Sequence, residues 1–370
     1  MMEKTRKWFY ALRSTIMISL LAICLTGCGE IANTNTTNNG SYGTVTKGTD
    51  LRVHFIDVGQ GDSTLIESAG YYMLVDAGER DQGEIVINYL KSQGVTKLDY
   101  VIGTHPHSDH IGGLEAVIKA FPVDTIIIPN KEHTTKTYET LLDTIIDKDL
   151  KLTLPKPGDQ YTIGNAAFTI IAPNRDYENN LNNWSVGIRL SYGDRSFILC
   201  GDAEKEAEAD ICANGLTISG DVLKVSHHGS STSSSEQFMD QVNPQYAVIS
   251  CGRNNDYGHP HKEVMELLNA RGVKVYRTDQ LGTIVAVTDG TSLTFMDSKG
   301  AVKEYGDTIK ADESQEAALQ VYILNTNTKK FHKPDCQSVK TMKETNKEEY
   351  SGSREELIQS GYTPCQSCKP

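Results

Sequence analysis

The chain is 370 residues long, 38% hydrophobic and 23% charged, an ordinary globular composition with room for one large domain and something small beside it. Its formal net charge of -12, more negative still once the basic first 27 residues are set aside, argues against a broad basic surface as a means of gripping nucleic acid.

Residues 1–27 begin with Lys4, Arg6, Lys7 and Arg13, run through an apolar stretch from Ile16 to Leu25 and end on Gly27, just before Cys28. That succession predicts a signal peptide, its apolar run too short for a membrane span. The ending LTGC resembles a bacterial lipobox, which implies cleavage before Cys28, lipidation of that thiol and an extracytoplasmic protein held at the cell membrane. Residues 28–49, rich in Asn, Thr and Gly, cannot bury enough surface to fold and read as a flexible tether.

Residues 50–299 alternate strand and helix signals. LRVHFIDVG, STLIES and YYMLVDAG predict strands, EIVINYLKSQG a helix with a Gly stop, and LDYVIGTH, GLEAVIKAF, VDTIIIPN and TYETLLDTIIDKDL continue strand, helix, strand, helix. The second half repeats the theme: strand AAFTIIAP, hairpin SVGIRLSYGDRSFILCG, then helices and strands in alternation from AEKEAEADICANG to the closing TSLTFMD. This is α/β order in two similar halves, and it predicts two sheets between layers of helices.

Residues able to do chemistry fall where strands end, as α/β folds arrange their sites. THPHSDHIGG, residues 104–113, places His105, His107, Asp109 and His110 within six positions and then breaks into two glycines. Pro106 favours extended backbone at His105. His105 and His107 suit one cation, and Asp109 and His110 a second, with Gly112 and Gly113 allowing a tight turn. Asp202, in ILCGDAE, is a carboxylate able to bridge two such cations, although as a helix N-cap it would be unremarked. In KVSHHGS, strand alternation turns one of His227 and His228 inward, and His227 is preferred as the ligand. Two bridged cations acidify a shared water and hold a substrate oxygen. His259, in CGRNNDYGHPH, is placed to reach the substrate, while His261 and His54 read as packing histidines.

Together HFIDVGQGDSTLIE, LVDAG, THPHSDHIGG, GDAE, KVSHHGS and YGHPH resemble the metallo-β-lactamase fold, in particular the hydrolase domain of the ComEC competence proteins, over residues 51–299. The resemblance implies an αββα sandwich, a centre of two divalent ions and a phosphodiester or nucleic-acid substrate. It carries over His105, His107, Asp109, His110 and Asp202 as ligands, and Asp76 as the residue steadying a ligand histidine. Asp57 and Asp62 match its pattern but are assigned only to shaping a turn. The wider fold usually supplies a further histidine before the bridging aspartate. Here that interval holds only His133, read as a loop residue, and the expected place reads NNWSVGIRL. Asn182 or, preferably, Asn183 with a water would then complete a weaker, oxygen-richer first shell, which makes Mn²⁺ a rival to Zn²⁺.

After a polar linker, residues 300–318, a second small unit is expected over residues 319–370. His332, Cys336, Cys365 and Cys368 have the types and spacing of a structural zinc site, which a unit this small needs in order to fold. The unit resembles the zinc module of the Ada DNA-repair proteins. A disulfide among its cysteines is the competing reading, and Cys200, Cys212 and Cys251 read as free thiols in apolar segments.

The expectation is therefore a lipid-anchored, metal-dependent hydrolase acting on phosphodiesters such as extracellular DNA, with Asp109, His228 and His259 as the groups taking direct part. The alternatives are another hydrolase of the same fold (a lactonase, β-lactamase or choline-phosphate esterase) or a non-catalytic zinc- or nucleic-acid-binding lipoprotein. The membrane and nucleic acid are the expected partners, and no protein partner is inferred.

Overall fold

The computed structural model describes residues 50–297 and 321–370, apart from 352–353 and 369. The expected signal peptide, Cys28, the tether and the linker at 300–318 lie outside the described residues. Among the described residues, no helix is long and apolar enough to cross a membrane.

Two sheets stack face to face. The first has the order Leu293–Asp297, Ile284–Thr288, Leu51–Phe55, Thr64–Ser68, Tyr71–Val75, Leu98–Ile102, Val123–Ile127, Lys151–Thr153. The second runs Lys274–Arg277, Tyr246–Ile249, Val222–Lys224, Arg195–Leu199, Gly187–Tyr192, Ala166–Ala172, Gln160–Ile163. One apolar cluster joins them, with Phe55, Ile66 and Ile102 from the first meeting Phe168, Leu190 and Phe197 from the second. Strand alternation turns Leu65, Leu74, Val101 and Ile126 the other way, towards Val86, Leu90, Leu114 and Leu141 of the flanking helices, all buried. On the far side Ile198, Leu223 and Ala247 pack against Ile211, Phe238, Met239 and Leu268. The layers are thus helix, sheet, sheet, helix: an αββα sandwich.

Each sheet has a parallel portion, with Tyr71–Val75, Leu98–Ile102 and Val123–Ile127 in one and Arg195–Leu199, Val222–Lys224 and Tyr246–Ile249 in the other. Asp76, the 104–113 loop, Asp202, the 226–229 turn and the 252–261 loop all follow carboxyl ends of these strands. Strands Lys151–Thr153 and Gln160–Ile163 had no expectation from sequence; KLTLPKPGDQYTIG is too polar and proline-broken to show a period.

The C-terminal unit has its own four-stranded sheet, Lys347–Ser351, Val321–Asn325, Lys330–His332 and Thr363–Pro364 in spatial order. Its apolar core is two small clusters, one of Tyr322, Leu324, Phe331, Leu357 and Tyr362 and one of Ile323, Cys336, Val339 and Cys365.

Candidate metal centre

Backbone contacts aim the 104–113 loop. Asp62 N donates to Asp109 O at 3.0 Å, Ala77 N to His110 O at 2.8 Å and Gly113 N to Gly78 O at 3.0 Å. A Cβ on Gly113 would stand 2.3 Å from Ala77 O, and one on Gly61 2.6 Å from Asp109 O. Glycine is needed at these positions for close approach. At Gly113 the backbone is helical, with φ of -80, so there conformational freedom is not the reason.

One ligand atom from each of Asp109, His110, Asp202 and His228 lies within 4.8 Å of all the others. His110 Nε2 is 3.1 Å from Asp202 Oδ2, and His228 Nε2 is 3.2 Å from Asp109 Oδ2 and 3.7 Å from Asp202 Oδ2. His105 Nε2 faces His107 Nδ1 at 2.9 Å and Asp202 Oδ2 at 3.8 Å, so Asp202, a member of the tetrad, also borders this pair.

The partners of the other ring nitrogens set the tautomers. His110 Nδ1 donates to Asp76 Oδ2 at 2.8 Å, His228 Nδ1 to Ser250 O at 3.0 Å, and His105 Nδ1 to Thr104 Oγ1 at 3.1 Å. Thr104 Oγ1 in turn donates to Asp76 Oδ2 at 2.7 Å, and Thr104 N to Asp76 Oδ1 at 2.8 Å. All three histidines therefore present an Nε2 lone pair inward, as metal-ligating imidazoles do. His110 Nε2 and Asp202 Oδ1 are buried with no hydrogen-bond partner. A cation in their midst would satisfy both, so the donor set fits divalent metal.

Electrostatics agree. Burial alone would lower the pKa of His228, but Asp202, Asp62 and Asp109 outweigh it and raise it to about 10. His110 is likewise raised by Asp202, Asp109 and Asp76 against its burial. The carboxylates thus demand positive charge at the tetrad, from protons or from a metal that displaces them. His105 goes the other way: burial and the neighbouring His110 hold it well below its ordinary value, in the neutral, ligating form.

Several expectations change. His227 was preferred to His228 on strand alternation, but the strand stops at Lys224, and both histidines take left-handed backbone, with φ of 53 and 55. That turn sends His228 into the tetrad. His227 Nδ1 bonds Thr232 Oγ1 at 3.0 Å, with Nε2 3.8 Å from Asp202 Oδ2 on the flank. Asn183 does not turn to the centre: its Oδ1 accepts from Glu204 N at 2.9 Å and its Nδ2 donates to Glu206 Oε2 at 3.1 Å, fastening the start of the helix Lys205–Ala213. From NNWS it is Ser185 that reaches inward, its Oγ 3.3 Å from His105 Nδ1 and accepting from Asp202 N at 3.0 Å.

Asp62 does more than shape a turn. It is buried in an ion pair with the buried Lys224, and its Oδ1 lies 3.4 Å from His228 Nδ1. Asp57 does stay in the turn, accepting from Gly59 N at 3.1 Å. Thr104, Ser185 and Lys224 were passed over in sequence. The available signal was a lysine inside the apolar strand DVLKVS, which has to be paired when buried. His259 is buried beside the tetrad, stacked on His228 at 6.1 Å, with Gln60 Nε2 donating to its Nδ1 at 3.4 Å. His133 bonds Thr135 Oγ1 at 3.0 Å in its loop, and His261 Nδ1 accepts from Ser231 N at 2.9 Å. His54 is buried, Nδ1 on Tyr89 Oη at 2.8 Å.

In the C-terminal unit, ligand atoms of His332, Cys336, Cys365 and Cys368 also lie within 4.8 Å of one another, Cys336 Sγ being 3.5 Å from His332 Nδ1. The three sulfurs are free thiols, as are Cys200, Cys212 and Cys251. Burial raises the Cys365 thiol, but amide hydrogens of Cys368 and Ser367 overcome it and bring it to about 7, so a thiolate is ready for a metal.

The profile of the metallo-β-lactamase superfamily matches residues 56–253, more than half of the chain. The chain belongs to the metallo-β-lactamase superfamily. Membership makes it a metal-dependent hydrolase, in agreement with the ligand geometry. Among curated relatives it is 35% identical over 250 residues to ComE operon protein 3 of Bacillus subtilis and 34% over 238 to Recombination protein 2 of Haemophilus influenzae. It is 30% identical over 230 residues to Competence protein ComA of Neisseria gonorrhoeae. These alignments take in 63%, 63% and 62% of this chain but only 32%, 28% and 31% of those proteins, so the chain corresponds to about a third of their length. This superfamily member is ComEC-like over its hydrolase domain.

Proposed function

We propose that this metallo-β-lactamase-fold protein is a phosphodiesterase acting on nucleic acid outside the cytoplasm, held at the membrane by lipid on Cys28. The observation that carries the reading is the pairing of two ligand sets across Asp202, the arrangement that suits an anionic ester flanked by two charges. Competence and recombination proteins among the relatives support nucleic acid as the substrate class.

Two divalent ions, zinc or manganese, would supply an acidified water and neutralise the phosphate oxygens. His105 and His107 would hold one ion, and Asp109, His110 and His228 the other, with Asp202 between them. Asp76 and Thr104 keep the proton on His110 Nδ1, and Ser250 O keeps it on His228 Nδ1, so each Nε2 stays a ligand. His259, stacked on His228 with its Nδ1 accepting from Gln60, would offer its Nε2–H as a hydrogen-bond donor to the departing oxygen. The acidic chain does not forbid an anionic substrate, since the ions dominate the local field.

The test is turnover of DNA, RNA and bis-p-nitrophenyl phosphate by purified protein with added Mn²⁺ or Zn²⁺. We expect hydrolysis that chelation removes and that Asp202→Ala reduces to background with the fold retained. β-Lactam hydrolysis without phosphodiester cleavage would discard the substrate, and turnover surviving complete metal removal would discard the mechanism.

A further inference from the structure

The 252–261 loop ends against the C-terminal unit. Asn255 makes this loop stiff: its Oδ1 accepts from Tyr257 N at 3.1 Å and His259 N at 3.0 Å, while its Nδ2 donates to Gly252 O at 2.9 Å and His259 O at 2.6 Å. Tyr257 therefore stands at a set place, its ring stacked on His259 at 5.6 Å and 20°. The Arg354 guanidinium, from the C-terminal unit, lies 5.2 Å from the Tyr257 ring centroid. On its own side Arg354 is held by Pro370 O, to which Nε donates at 2.9 Å, and by the Phe331 ring at 5.9 Å.

This corner borders the metal centre. The Tyr257 phenol is raised by burial, lowered by Arg354, and raised by the charges of Asp109 and Glu79, so the guanidinium, the phenol and a tetrad carboxylate share one local field. A strongly acidic chain has reason to place a permanent cation there. Guanidinium matches phosphate geometry and keeps its charge at every working pH, and seating it on an aromatic face limits the freedom lost when it grips.

We propose that the C-terminal unit completes the hydrolase site by supplying Arg354, held on Tyr257, as the anchor for a backbone phosphate flanking the one cleaved. The inference deepens the phosphodiesterase reading and rests on nucleic acid as substrate. It gives the small unit a task in substrate binding, with Arg354 as a substrate-binding residue and Tyr257 as a positioning one.

The test measures binding of a fluorescein-labelled phosphorothioate oligothymidylate to the metal-loaded full chain across a salt series, for wild type, Arg354→Gln and Arg354→Lys. We expect Arg354→Gln to weaken binding about tenfold at low salt and to lower the slope of log affinity against log salt by about 0.7, one contact's share on a single strand. Arg354→Lys should keep that slope and lose less affinity, a rescue that a packing role would not give. On cleavable oligonucleotide, Arg354→Gln should raise KM far more than it lowers kcat. Zinc content of each variant is measured alongside; if Arg354→Gln sheds metal from the small unit, Arg354→Met is read in its place. Equal affinity and slope in wild type and the neutral variant would overturn the inference and leave the phosphodiesterase reading standing. Binding with the expected slopes but no cleavage by wild type would do the reverse, and no binding by wild type would overturn both.

Discussion

The tetrad of Asp109, His110, Asp202 and His228 takes its ligands from three loops at strand ends of a sandwich with an extensive apolar core, whereas Cys336 and Cys365 are themselves core residues of the small unit, packed with Ile323 and Val339. In the sandwich the fold carries the metal site; in the small unit a metal would carry the fold. The ligand types follow the same division. Histidine and carboxylate leave positions open for substrate, while three thiols and a histidine close a tetrahedral shell. A buried carboxylate that belongs to chemistry needs a second layer to aim it, as Asp76 and Ser185 aim His110 and Asp202.

The largest effect expected is a split response to metal removal. Structural zinc contributes about 10–16 kcal/mol of binding free energy that is also folding free energy. With chelator, residues 321–370 should become sensitive to protease while 50–297 stay resistant, both followed by mass spectrometry. Simultaneous loss of both regions would break the comparison, as would a disulfide found among Cys336, Cys365 and Cys368 in protein purified without oxidation. Next in size, His228→Ala should abolish phosphodiester turnover, while His227→Ala, altering a flanking residue, should retain a measurable fraction. The reverse order would restore the preference drawn from strand alternation. Asp76→Asn takes away the charge that orients His110 and should cost about 10–100-fold in metal affinity, read by titration with a competing chelator. An unchanged affinity would mean that Thr104 and the backbone suffice.

A last effect, read in stability rather than in turnover or metal binding, concerns the sandwich alone. Burial, helped by Arg52, lowers His54 from its ordinary 6.5 to about 3. Between those values the unfolded chain binds a proton that the folded chain refuses, so stability falls as pH drops from 6.5 towards 3. The slope is about 1.4 kcal/mol per pH unit, or of order 3 kcal/mol between pH 7 and 4. His54→Gln should remove one proton's worth of that acid slope in urea titrations. An equal slope in wild type and variant would show that His54 is not the group responsible.

How far the sequence can be read tracks the range of the forces involved. The αββα order and most strands followed from local periodicity, and His105, His107, Asp109 and His110 stood out as candidates because four ligating types crowd into one loop. Asp202 and the Cys/His set were visible because a strand end or a CxxC spacing is also local. What escaped depended on backbone geometry or on partners far along the chain. The left-handed pair at 227–228 reversed the choice of histidine. The Asp62–Lys224 pair joins residues more than 160 positions apart, and Asn183 turned to a helix start that no alternation rule reports.

The close packing of Gly61, Gly113 and their neighbours has a bearing on protein engineering. Because the 59–63, 76–80 and 104–113 segments hold one another by backbone hydrogen bonds and leave no volume for a side chain at Gly61 or Gly113, the portable unit is three interlocked loops. Transplanting the histidine motif alone onto another scaffold would carry the ligands without their aim. Directed evolution of this centre would more readily find new selectivity in the 252–261 rim than in the motif itself.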